Sequence, residues 1–302
     1  MGFFDYFKNI FLILIFLQIT PALLIGIKKQ YSKYLMPRTK IGLVEINGVL
    51  YSSDKYNKRL NKYFKDPEIK AILIKMECPG SAAGTAQSIF NEINILKKEY
   101  PAKPIITLVE NVCASGGYYI ACATDEIITP GSALIGSIGS NLPYLFQLQE
   151  FIEQYKIKYE TIKAGKYKNI ADPFVAMTAD ERAMLQGVID DSYFQFADDV
   201  VKTRKVSLKE KEKWADGKIF SGRQALKLGL VDMLGSARTA IDRLKDKALI
   251  KGEIEWVKQP KKTSFWSLFS GRGDESGNSM FSFLASKLGV NFNEKHLVHR
   301  VF

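Results

Sequence analysis

The chain has 302 residues, 46% apolar and 25% charged, enough for one large or two small globular domains. Its formal net charge is +11, but the lysines are scattered and no Arg/Lys block interleaved with aromatics marks a nucleic-acid module. That excludes a nucleic-acid partner and leaves a basic surface near a membrane. Three cysteines (Cys78, Cys113 and Cys122) form no Cys-x-x-Cys pair, which excludes a disulfide framework, and their apolar or tight-turn settings predict buried free thiols.

Phe11 to Ile27 carries no charge. With Asn9 and Ile10 it reaches about the length that crosses a bilayer, and Gln18, Thr20 and Pro21 are tolerable inside a spanning helix. Asp5 offsets Lys8 ahead of it and no small-x-small cleavage site follows, so it reads as an uncleaved anchor. Lys28, Lys29, Lys33, Arg38 and Lys40 come next, and the positive-inside tendency alone would keep the body of the chain in the cytoplasm.

The body opens with an extended run from Ile41, turned at Asn47-Gly48, and an amphipathic helix over Tyr56–Phe64. Ala71–Met76 is a buried strand that runs through the turn Glu77-Cys78-Pro79-Gly80-Ser81 into a helix from Thr85 to Lys98. Ile105–Val109 is a second buried strand. It leads through Asn111-Val-Cys-Ala-Ser115-Gly116-Gly117 into an apolar helix over Tyr118–Ala123. Asp125–Thr129 reads as a strand and Pro130–Ser140 as a small-residue turn. Leu145–Tyr155 reads as a helix, Lys158–Ile162 as a strand and Lys163–Asn169 as a loop. Thr178 caps a long helix to about Lys205 through a Thr178/Glu181 capping box. Short helices follow over Ser207–Trp214, Ser221–Gly229 and Ala237–Lys247, and Glu253–Val257 is a last strand. The repeated strand–turn–helix units predict an α/β fold with largely parallel pairing. After Pro260 the chain is rich in Ser, Gly and Lys, with a short amphipathic stretch at Phe281–Leu288. The expected organisation is an anchor and basic flank over 1–39, a catalytic domain over 40–258 and a flexible tail over 259–302.

A serine followed by two glycines where a strand hands over to a helix does two things. It lifts the Ser115 hydroxyl out of the backbone run, and it leaves the Gly116 amide free for developing negative charge. The same stretch also fits a plain corner with Ser115 as an N-cap. If Ser115 is a nucleophile, its base is not a histidine of the body. The two histidines, His296 and His299, lie near the C-terminal end, and with Glu294 they fall short of a zinc site, so neither metal nor cofactor is expected. A neutral lysine can serve. Acting near pH 7–8 requires its pKa to fall by roughly three units from ~10.4, about 4 kcal/mol of desolvation, so it must be buried among apolar groups without a carboxylate partner. Lys168, between Tyr167 and Asn169-Ile170-Ala171, fits better than the lysines on charged faces, with Lys166 its local competitor.

Three separate motifs then agree. Ala-Ser-Gly-Gly-Tyr-Tyr at 114–119, Gly-Ser-Ile-Gly at 136–139 and Ala-Gly-Lys-Tyr-Lys at 164–168 resemble the signal peptide peptidase A family of membrane-anchored Ser/Lys proteases. Ala225-x-x-x-Gly229-Leu-Val-Asp232 adds a fourth, and the resemblance spans about residues 40–258. It implies a ClpP/crotonase-like fold of repeated β-β-α units preceded by one transmembrane helix. Ser115 would be the nucleophile, Lys168 the base and Ser137 the group that orients the lysine amine. Backbone amides of Gly116 and of the Gly80-Ser81 turn would form the oxyanion hole. It also implies hydrophobic peptide substrates such as cleaved signal peptides, and a ring-like homo-oligomer. The catalytic body would lie on the extracytoplasmic side of the cytoplasmic membrane, since large domains translocate despite flanking charge. The chain departs from the family's Asn-Ser-Pro-Gly-Gly at Glu77-Cys78-Pro79-Gly80-Ser81, where Ser81 replaces a glycine but keeps the backbone NH. Two other functions share such an oxyanion hole or fold: a crotonase-like enzyme acting on acyl-CoA, which needs neither Ser115 nor Lys168, and a catalytically silent membrane scaffold.

Overall fold

The structure, a computed structural model, describes residues 38–142 and 145–258, together with residues 15–17, 20, 21 and 24. Most of the expected anchor and the whole tail from residue 259, with its two histidines and the stretch at 281–288, lie outside the described residues. Among the described residues no helix is long and apolar enough to cross a membrane.

The core is a parallel sheet. Strand β1 (Thr39–Asn47) lies between β2 (Ile69–Cys78) and β8 (Ile254–Val257), and β2 lies between β1 and β3 (Ile105–Ala114). β3 is long enough to take two partners along one edge: its first half pairs with β4 (Glu126–Thr129) and its end pairs with β5 (Leu134–Gly136). β5 pairs with β6 (Ile219–Ser221) antiparallel, and β4 with the two-residue β7 (Met233–Leu234) in parallel. The central strands carry almost unbroken apolar runs because both faces are covered. One face packs under α1 (Asp54–Lys65), α2 (Ala83–Glu99) and α3 (Gly116–Ala121), through Leu60, Phe64, Ile89, Ile93 and Tyr118. The other packs against α8 (Ala237–Lys247) through Ala240 and Leu244.

The expected units are present with changed boundaries. β3 runs on past Val109 through a break in its register with β2, where the Asn111 backbone NH and side-chain amide both donate to the Glu77 carboxylate, at 2.9 and 3.2 Å. α5 (Ala179–Thr203) starts at the Thr178/Glu181 capping box, with both reciprocal bonds made. α7 (Gly222–Leu228) starts at a Ser221/Gln224 box and ends on Gly229 at φ 78°, the left-handed turn glycine supplies without strain. The expected helix over 145–155 shrinks to α4 (Gln149–Gln154), and Ser207–Trp214 divides into a 3-10 turn (Leu208–Glu210) and α6 (Lys211–Trp214). Lys158–Ile162 is not a strand. It has no neighbouring ladder to join among the described residues, and its apolar side chains face outward, Ile162 at 97% exposure.

Candidate active site

β2 and β3 end side by side, with Cys78 opposite Cys113, and each then turns into a helix. The β2 turn is pinned by a bridge to Leu50: the Leu50 amide donates to Gly80 O at 3.2 Å and the Ala82 amide donates to Leu50 O at 2.9 Å. The Gly80 and Ser81 amides stay outside that bridge. The β3 turn is Ser115, at φ 51° and ψ −125°. A non-glycine residue held there costs on the order of 1–3 kcal/mol and persists only where its surroundings over-determine it. Here the Ser115 amide donates to Gly136 O at 2.7 Å and Ser115 O accepts from the Tyr119 amide at 3.0 Å.

The two glycines after Ser115 are steric requirements. A Cβ on Gly116 would lie 1.9 Å from Ser81 Oγ and 2.8 Å from Ser81 N, and one on Gly117 would lie 2.5 Å from Cys78 O. The β2 and β3 turns therefore touch, which brings Ser115, Gly116, Gly80 and Ser81 together: a Cβ on Gly80 would sit 3.8 Å from Ser115 Oγ. Ser137 joins them through its neighbour Gly136, whose carbonyl holds Ser115. Ser137 also has a positive φ, 50°, and its amide donates to Lys218 O at 2.7 Å.

Ser115, Ser81 and Gly116 open onto a cavity of about 50 Å³ that Tyr119, Ser192 and Phe196 also line. Tyr119 stacks on Phe196 with ring centroids 4.3 Å apart, and its hydroxyl donates to Asp199 Oδ2 at 2.6 Å. Burial, reinforced by the Asp199 carboxylate, pushes the Tyr119 hydroxyl far above the ordinary tyrosine range, so it stays a neutral donor. Behind the site, Arg204 is buried. Its guanidinium pairs with Asp232 at 2.5 Å and donates to Cys122 O and Thr124 O just past the end of α3, while Asp232 also accepts the Ile127 amide at 2.8 Å. The sequence reading missed Ser192, Phe196, Asp199 and Arg204. Ser192, Phe196 and Asp199 stand at i, i+4 and i+7 on α5, a helical-face spacing that was open to reading.

Lys168 is placed apart. It is exposed, in the turns between residues 164 and 171, and it does not line the Ser115 cavity. Its competitor Lys166 pairs with Asp180, whose carboxylate holds the ammonium in its charged form. Among the described residues Lys103 is the lysine that burial pushes down. It donates to the carbonyls of Tyr63, Phe64 and Asp66 at 2.8, 2.7 and 2.7 Å, closing the end of α1. Lys103 precedes β3 and Ser115 follows it, so the strand sets them on the order of 30 Å apart. The cysteines are buried and free as expected, and burial pushes the thiols of Cys78, Cys113 and Cys122 up, away from nucleophilic thiolate. No group of histidine, cysteine and acidic side chains able to hold a metal occurs among the described residues.

The profile of Peptidase family S49 matches residues 97–251. A protein of Methanocaldococcus jannaschii with a provisional protease name is 34% identical over 193 residues, 64% of this chain and 61% of that protein. A Synechocystis protein with a similar name is 31% identical over 84% of this chain and 89% of its own length. An Enterococcus faecium protein provisionally named signal peptide peptidase SppA is 31% identical over 68% of this chain and 63% of its own. The chain thus spans less than two thirds of the archaeal and Enterococcus relatives and most of the cyanobacterial one. The mixed α/β sheet, the serine elbow above it and a profile match that includes that elbow agree, and this protein belongs to peptidase family S49.

Proposed function

We propose that this peptidase is a membrane-anchored serine endopeptidase that uses Ser115 as nucleophile and Lys168 as general base on hydrophobic peptides, cleaved signal peptides among them. The observation that carries this is the Ser115 elbow: a serine held at φ 51°, opening onto a cavity it shares with Gly116 and Ser81. Neutral Lys168 takes the Ser115 proton as Oγ bonds to the peptide carbonyl carbon. The oxyanion rests on amides from Gly80, Ser81 and Gly116, and the ammonium returns its proton to the leaving amine. Water, deprotonated by the same lysine, then breaks the ester. Ser137 orients the amine.

A lysine exposed in one chain has neither the desolvation nor the reach this requires. Lys168 therefore meets Ser115 through a neighbouring copy in a ring-like homo-oligomer. What supports this is the segment before Lys168, which exposes Phe146, Phe151, Tyr155 and Ile162. Burying such side chains against another chain gives roughly 1.5–3 kcal/mol each. The charge-free run at 11–27 anchors the chain in the cytoplasmic membrane, with the catalytic body on the extracytoplasmic side.

The test is hydrolysis of an apolar fluorogenic peptide by the full chain in detergent, beside Ser115→Ala and Lys168→Ala. Both variants should lose at least ~10³-fold in kcat/KM at unchanged circular dichroism. Activity that survives Lys168→Ala would remove the assignment of the base. A wild type that is inert to peptides yet binds CoA thioesters would point to the acyl-CoA chemistry instead.

A further inference from the structure

The cavity beside Ser115 has a rigid floor and little room. Its far wall is the Tyr119–Phe196 stack, and both rings are nearly closed to solvent, at 5% and 4% exposure. Three contacts keep that wall in place. Phe90 packs on the other side of Tyr119, with centroids 5.1 Å apart; Asp199 accepts the Tyr119 hydroxyl; and Phe196 belongs to the main core cluster. The side walls are Ala83 and Ala86 of α2, with Ser140 donating to Ser192 Oγ at 3.1 Å on the other side. About 50 Å³ remains between them. A buried apolar cavity of ~150 Å³ holds benzene, about three times this space. The space beside Ser115 therefore fits a methyl or hydroxymethyl group and not a branched or aromatic side chain.

We infer that this cavity is the specificity pocket for the residue whose carbonyl Ser115 attacks, and that it selects a small side chain, alanine or serine, with the Tyr119–Phe196 stack setting the limit. The inference rests on the reading of Ser115 as nucleophile. All the named walls belong to the chain that carries Ser115, so a neighbouring copy narrows the mouth without deepening the floor. A long side chain enters only by pushing Phe196 into packed core, which interiors at crystal-like density resist. The substrates are then apolar peptides cut after a small residue, and the apolar character is read elsewhere along the peptide.

The experiment uses the full chain in detergent and fluorogenic peptides that differ only in that residue: Ala, Ser, Leu and Phe, with the cut site fixed by mass spectrometry. The expected result is kcat/KM for Ala and Ser at least about tenfold above Leu, and higher still above Phe. Phe196→Ala opens the floor and should raise Leu relative to Ala by about tenfold or more. Ala83→Leu, at an exposed helix start where folding is little affected, should lower Ala cleavage. The wild-type profile needs no variant to fold. Leu or Phe cut as well as Ala by the wild type overturns the pocket assignment and leaves the hydrolase reading standing. No cut in any peptide, with no labelling of Ser115 by a fluorophosphonate, overturns the hydrolase reading and this inference with it.

Discussion

Ser115 carries two demands that conflict. Chemistry wants its hydroxyl clear of the backbone run, and an L-residue at φ 51° resists that geometry. Glycine accepts it without a Cβ penalty. Ser115→Gly and Ser115→Ala both remove the proposed nucleophile, so comparing them turns on the backbone. Ser115→Gly should be the more stable of the two by about 1 kcal/mol, read from urea midpoints at equal m-values. Equal midpoints would mean that the strain relieved is no larger than the extra unfolded-state freedom glycine brings. At this scale the sequence was informative where sterics dictate identity. Ser115-Gly116-Gly117 follows from two turns in van der Waals contact, and no other residue fits at Gly117 against Cys78 O. It offered the shared helix face of Phe196 and Asp199 through their spacing but nothing of their role, because a phenylalanine and an aspartate on a mixed helix face look the same whether they floor a pocket or meet solvent.

The parallel elements were legible because each central strand is a buried β-branched run of a length that excludes a helix. The short strands were not. β5 hides in a glycine- and serine-rich stretch, and β6 and β7 have three and two residues, too few to show a period. Only their partners make them strands. The segment Lys158–Ile162 is the reverse case, a strand-like run without a partner. Gly229-Leu-Val-Asp232 was legible as a motif and not as a contact. Its role is to seat Arg204, which closes α3 from behind through Cys122 O and Thr124 O. Arg204→Ala leaves those carbonyls without their donor and Asp232 with the Ile127 amide alone, and should cost about 3 kcal/mol. Asp232→Asn added to it should cost less than it does alone, since the pair acts as a unit. Thermal or urea unfolding of the four forms of this cycle gives the coupling, and additive costs would deny the pair a joint role.

For the whole molecule, the separation of Lys168 from the Ser115 cavity has a direct test in mixtures. Ser115→Ala chains keep Lys168 and Lys168→Ala chains keep Ser115. If each site is built across two chains, co-assembly of the two inactive forms restores activity. About a quarter of the wild-type rate is expected at equal mixing, since one junction in four pairs the intact halves. Silence after mixing, with mixed oligomers verified by mass, would place both residues in one chain. Nothing in the sequence announces such an arrangement. The apolar residues of 145–162 read as an ordinary core helix and strand, and only their exposure, as at Phe146 and Ile162, sets them apart.

The burial of every cysteine reaches beyond packing. With Cys78, Cys113 and Cys122 all enclosed, the native chain presents no thiol to a reagent in solution. A cysteine put in place of the exposed Lys168 is then the single reactive sulfur. A spin label or fluorophore on it reports one position without background. Distances between labels on adjacent chains would then show whether residue 168 of one copy is held at a single fixed distance from that of the next, as a closed ring requires and a loose association does not.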